Sequence, residues 1–304
     1  MFKLILEKLI SALITLFLVI SASFFLLRLL PGSPFDDGRI LSPEILSNME
    51  AKYGLDQSLL NQYLSYISKL IFHLDLGPSL KYPNRDINDI LFDAIPVSLL
   101  LGAIAMIIAI IIGISVGMIS ALKPKTQLGK FCSLISTLGM SMPSFVFAGI
   151  LISIFGLGLN WLPVALWEGP EYIILPALTL SIAPASYIAR ITRSAITETL
   201  AKPHIQAAYA KGLKQSEVIT RHILANSLIP ILTITGPLVA ILITGSFVVE
   251  FIFALPGMGK YFVTAFINRD YFLVSGVIIV FSLILLIVNT TVDLINLRLD
   301  PRSR

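Results

Sequence analysis

The chain is 304 residues long, 56% hydrophobic and only 13% charged, with a mean hydropathy of +0.89. That balance excludes a soluble globular domain, which needs far more polar surface at this length. A net charge of +4 does not point to nucleic acid, because the basic residues flank apolar runs, the arrangement that sets membrane topology.

Apolar runs long enough to cross a ~30 Å hydrocarbon core recur along the sequence. Helices satisfy every backbone group within one segment where no water is at hand, so the fold class is an all-α integral membrane protein with six transmembrane helices. The first covers about residues 9–30. Lys3, Lys8 and the small residues Ser21-Ala22-Ser23 imitate a secretory signal, but the run from Leu9 to Leu27 exceeds the ~7–15 residues of a signal core. It is therefore read as an uncleaved span. A long outer loop, 31–95, opens with Pro31-Gly32-Ser33-Pro34, which cannot continue a helix, and Ser42-Pro43-Glu44 reads as a helix start. Leu59, Leu60, Tyr63, Leu64, Ile67, Leu70 and Ile71 then recur at helical spacing, predicting short amphipathic helices over the outer face. The loop's acidic residues, from Asp36 to Asp93, read as a solvated face, with a ligand role as the alternative.

The second span covers about 97–122, opened by Pro96, where a missing N–H costs nothing. Its Gly113 and Gly117 form Gly-x-x-x-Gly, a close helix contact in internal packing or at a subunit interface. The third, 131–159, contains Pro143 and the single cysteine, Cys132, read as a buried small hydrophobe. No Cys/His cluster has metal-ligand spacing, and neither metal nor cofactor is expected. The fourth span, 172–189, holds Pro176 and Pro184; the fifth, 228–254, is opened by Pro230 and holds Gly236-Pro237; the sixth is 272–297. Pro143, Pro184, Gly236 and Pro237 interrupt helical hydrogen bonding, which lipid tolerates only inside protein or along a water-filled cavity. They read as a hinge or path lining, or as packing kinks. Glu250, near the outer end of the fifth span, reads as an interface-facing carboxylate or a gate contact. In outline, 1–30 is the N-terminus and first span, 31–95 the extracytoplasmic helical loop, and 96–304 a five-helix core with an inner loop at about 190–227, with no internal repeat.

Orientation follows from Lys and Arg. Fourteen of the 22 basic residues fall on one set of segments, and six of the other eight belong to the long loop or its edge, where charge counts for little. The short outer loop Asn160–Glu171 carries none, so both termini are expected in the cytoplasm.

Within the inner loop, Pro203 to Gly212 reads as a short helix, with Pro203 in its first turn and Gly212 ending it in a left-handed conformation. Ile205, Ala208 and Tyr209 are expected on one face, and a second short helix starts at Ser216. Helices this short are marginal alone in water. They dock on another protein or fold against this chain's own spans.

Gln206-Ala207-Ala208-Tyr209-Ala210-Lys211-Gly212, with His222 ten residues on, resembles the EAA loop of ABC importer permeases, except that Gln206 stands where Glu or Arg is usual. Leu30-Pro31-Gly32-Ser33-Pro34-Phe35, Tyr53-Gly54-Leu55-Asp56, Leu76-Gly77-Pro78-Ser79, Met142-Pro143-Ser144-Phe145, Ala189-Arg190-Ile191-Thr192-Arg193, Leu255-Pro256-Gly257-Met258-Gly259 and Asn268-Arg269-Asp270-Tyr271 are similar, in this order, to the B-type permease of oligopeptide, dipeptide and nickel importers. The start of the outer loop leans toward the oligopeptide branch. The resemblance implies a type I importer permease fold in the bacterial cytoplasmic membrane. It implies as partners a second homologous permease, two cytosolic ATP-binding subunits gripping the Gln206–His222 segment, and an extracytoplasmic binding protein that delivers cargo.

Phosphate-cradling Gly-x-x-x-x-Gly-Lys-Ser/Thr is missing: around Gly259-Lys260, Ala254 takes the first Gly position and Tyr261 replaces Ser/Thr. A transport subunit that is not itself an ATPase is expected. An ion-driven secondary transporter would place ionisable residues near the midplane, whereas Arg28, Arg190, Glu250 and Asp293 lie near span ends. A channel lacks any repeated filter motif.

Overall fold

The structure is a computed structural model that describes residues 2–29, 35, 43–83, 85–243 and 247–299. Its helices are α1 (Phe2–Arg28), α2 (Pro43–Tyr53), α3 (Leu59–His73), α4 (Ile87–Leu122), α5 (Gln127–Ser141), α6 (Ser144–Leu151), α7 (Ile174–Leu200), α8 (Pro203–Ala210), α9 (Gln215–Glu217), α10 (Ala225–Ile243), α11 (Phe247–Ile252), α12 (Met258–Ile267) and α13 (Tyr271–Leu299). A π-helical stretch, Ile152–Gly158, extends α6, and another, Val218–Leu224, joins α9 to α10. Among the described residues five helical stretches are long and apolar enough to cross a membrane, and α5 with α6 and its extension makes a sixth if that bent pair is one span. Two compact units emerge: Met1–Val97 with Pro256–Leu286, and Ser98–Leu255 with Ile287–Arg304.

In the first unit, Phe24 of α1 packs edge-on to Tyr63 of α3 with ring centroids 5.2 Å apart, inside a core that takes in Tyr66, Ile87, Ile90, Leu91 and Val277. Residues 43–73 form the amphipathic helices that their periodicity predicts. Ser58 caps α3 by accepting from the Asn61 amide, and Leu74 ends it at φ 51°. Tyr63, Ile67 and Leu70 face the core, while Leu60, Leu64 and Ile71 stay exposed. Pro31-Gly32-Ser33-Pro34 and Ser42 lie outside the described residues.

The second unit is built on α7, against which α5, α6 and α10 pack. Small residues permit the approach. A Cβ on Gly113 would come 2.7 Å from the Ala185 carbonyl oxygen, and one on Gly117 2.5 Å from that of Ala189, so Gly-x-x-x-Gly is an internal α4–α7 contact. Gly139 of α5 meets Ser186 of α7 as tightly. Cys132 is buried in α5, as expected.

Several boundaries differ from the predicted ones. α4 starts at Ile87, not after Pro96, because Ile87, Ile90, Leu91 and Ala94 are buried at helical spacing ahead of the proline, which the helix carries inside it. The fourth span runs on to Leu200, well past Ala189, since Thr192, Ile196 and Thr199 continue its buried face. In place of a second short helix, residues 215–243 wind on through the π-helical turn, so Pro230 sits inside α10. The third span is broken: Pro143 forces Met142 out of helical conformation, to φ −99° and ψ 136°, and the axis turns by 114°.

Candidate functional site

The segment after α7 is ordered by local chemistry. Lys202 is extended and Pro203 occupies the first helical position of α8, where its fixed φ suits the turn. The far end closes with Gly212 at φ +78°. Its amide donates to the Tyr209 carbonyl at 2.9 Å, and that of Leu213 to the Ala208 carbonyl at 3.4 Å, the paired bonds of a Schellman cap. Open space surrounds a Cβ built on Gly212, so backbone conformation and not crowding favours glycine here.

One face of α8 is nailed to its own chain. Ile205 and Ala208 are buried with Ala121 of α4, Ile196 of α7, and Val218 and Ile223 of the π-helical turn. The rest is free: Gln206, Ala207, Tyr209, Ala210, Lys211 and Gly212 are all exposed. Tyr209 is expected beside Ile205 and Ala208; one turn on from Ile205 it flanks them, but at 41% exposure it is outside the buried cluster that they join. His222 is half-buried in the π-helical turn. Two exposed pairs, Lys202–Glu198 at 3.5 Å and Arg221–Glu217 at 4.0 Å, add little to stability.

The predicted breakers separate. Pro184 lines a cavity of about 550 Å³ with Ser144, Thr179, Tyr187, Ile241 and Val248, and exposed Pro143 precedes Ser144 at the bend of the third span. Gly236 is instead buried against Val292 of α13, where any side chain would collide, which is the packing alternative; neighbouring Pro237 is exposed. Glu250, expected near the outer end of the fifth span, is fully buried in α11.

In the first unit, sequence reading missed the role of a carboxylate. Asp270 is completely buried just before α13. It accepts from the Ser79 hydroxyl, from the Leu80 amide at 3.1 Å and the Lys81 amide at 3.3 Å, and through its other oxygen from the Leu273 amide at 3.2 Å. Two motifs noticed separately, Leu76–Ser79 and Asn268–Tyr271, are thus one knot. Only the motifs themselves signalled it; nothing local joins positions 191 residues apart. Burial pushes the Tyr66 phenol up to about 12, and raises that of Tyr82, so both stay protonated at neutral pH. Among the described residues no cluster of His, Cys, Asp and Glu could hold a metal ion.

Comparison with known proteins agrees with this architecture. Residues 109–304 match the family described as binding-protein-dependent transport system inner membrane component, and residues 1–101 match the N-terminal membrane-component family of the same systems. The chain is 42% identical over its whole length, and that of the relative, to the oligopeptide transport system permease protein OppB of Haemophilus influenzae. It is 41% identical to the dipeptide transport system permease protein DppB of Bacillus subtilis, covering 95% of this chain and 94% of the relative. An inward-facing structure of the MetNI methionine ABC transporter superposes at TM-score 0.59 and 16% identity, over 70% of this chain and 97% of that one, a likeness of fold.

Proposed function

Because the chain belongs to the family of binding-protein-dependent transport system inner membrane components, we propose that it is the permease subunit through which an ATP-driven importer moves oligopeptides across the inner membrane. The closeness of a dipeptide permease keeps dipeptides as the second cargo. The subunit lines a path with a second, homologous permease, a binding protein delivers cargo at the outer face, and two cytosolic subunits supply ATP hydrolysis. Nothing in its own chemistry is covalent.

The observation that carries this reading is the division of α8 into a pegged face and a free face. A partner that grips Gln206, Tyr209 and Lys211 pushes on a rigid, capped turn. Ile205 and Ala208 are pegs set among residues of α4, α7 and the turn leading to α10, so the push reaches those helices directly. Packed interfaces respond to such a displacement by switching between discrete arrangements, here inward-open and outward-open. The Met142–Pro143 bend and the cavity at Pro184 lie on the half of the molecule that such a switch would reshape.

Gly212→Pro tests it. Proline cannot adopt the φ of +78° found there, so the cap is lost while the spans are untouched. The variant should reach the membrane at normal levels yet lose both peptide uptake and cargo-stimulated ATPase activity in the assembled transporter. Survival of both would remove α8 as the coupling element.

A further inference from the structure

A second site lies in the first unit. There, α1, α2 and α3, the turn before α4 and the start of α13 enclose a cavity of about 320 Å³. Arg28, Lys52 and Lys69 line it, and Asp75 is the one acidic side chain among its lining residues. Asp75 is already occupied, one of its oxygens accepting from the Gly77 amide at 2.8 Å. Among the described residues no carboxylate forms an ion pair with Arg28, Lys52 or Lys69. Arg28 is half-buried and held in place: its Nε donates to Gln62 at 2.9 Å and its guanidinium lies 3.5 Å from the Phe24 ring centroid. A fixed, partly desolvated cation without a counter-charge is costly unless an anion joins it. Tyr66, 6% exposed, also lines the cavity, and its buried hydroxyl approaches Ser275 without completing a hydrogen bond.

We propose that this cavity binds the phosphate group of an anionic phospholipid. Three cations and a phenol form a site for a tetrahedral oxyanion. Two observations choose a lipid over a soluble anion. Arg28 is the last residue of an apolar span, Leu6–Arg28, which sets the cavity at the boundary between hydrocarbon and water, at headgroup depth. Beside it, α3 turns an exposed apolar row outward, Leu60, Leu64 and Ile71, against which acyl chains can lie. The bound lipid would join α1 to α2 and α3, so it would stabilise the outer loop on the first span. This inference does not depend on the cargo or on coupling.

The experiment titrates the purified full-length protein with phosphatidylglycerol and, separately, phosphatidylcholine, counting retained lipids by native mass spectrometry. Phosphatidylglycerol should be retained more tightly, and Lys52→Gln with Lys69→Gln, both exposed positions that spare the fold, should lower its affinity about tenfold or more. Arg28→Lys should keep more of the affinity than Arg28→Gln. Equal retention of the two lipids, or unchanged affinity in the double variant, would overturn the proposal. Inorganic phosphate and a short peptide serve as competitors: displacement by either at concentrations comparable to the lipid would assign the cavity to a soluble anion or a carboxylate instead.

Discussion

The segment around α8 and the stretch before α4 are both polar parts of the same chain, yet they are held by opposite means. Residues 79–81 are tied by hydrogen bonds to the buried carboxylate of Asp270, a knot in which both acceptor oxygens are used inward. By contrast, α8 is held by two apolar pegs and a backbone cap, and keeps its polar face unused. The knot turns the polar groups it ties inward. Pegs hold a segment while leaving it open to a partner. The contrast teaches that completeness of local bonding separates a structural loop from one awaiting contact, even where both carry recognisable motifs.

Substitutions can break that comparison, and their effects on the chain's own fold should fall in a definite order. Gly117→Leu comes first: the side chain would collide with the Ala189 backbone and Thr192 across the α4–α7 contact, and no stable protein should accumulate in the membrane, as read by immunoblot of membrane fractions. Asp270→Ala strands the Ser79 hydroxyl and three amides, for about 3 kcal/mol. It should open the stretch before α4 to limited proteolysis without exposing residues 203–212, and Asp270→Asn should be milder. Ile205→Ala removes a peg that is fully buried and should cost about 2 kcal/mol, read as a lowered thermal midpoint, together with loss of uptake. Gly212→Ala forces a side chain into left-handed backbone for about 1 kcal/mol, with a partial loss of uptake. Tyr209→Ala comes last: its fold should be unchanged within about 0.5 kcal/mol, while co-purification of the proposed ATP-binding subunit falls. If Tyr209→Ala instead unfolds the segment, α8 is a knot like the one at Asp270, and the contrast disappears.

How much of this was legible in the sequence depended on whether its physics is local. The apolar runs, the helical spacing of Tyr63, Ile67 and Leu70, the first turn at Pro203 and the left-handed Gly212 each follow from a few neighbouring residues, and each is found. Gly113 and Gly117 announced a close contact, but which helix they meet is settled only by the matching small residues of α7. Pro143 was seen as a breaker; that Met142 would turn fully extended, bending the span by 114°, depends on what packs around it. Burial of Glu250 and the knot at Asp270 are long-range facts, invisible in any window of sequence. Tyr209 shares a face with Ile205 yet stays exposed, because helical spacing names neighbours on a cylinder without saying how wide a groove receives them.

The bend between α5 and α6 bears on the bilayer itself. A straight helix of fixed length answers a thinner or thicker hydrocarbon layer by tilting, which disturbs whatever it packs against. An elbow can set its height by opening or folding at Met142–Pro143. The third passage is therefore the one that should absorb changes in acyl-chain length, leaving the glycine-lined seam between α4 and α7 undisturbed.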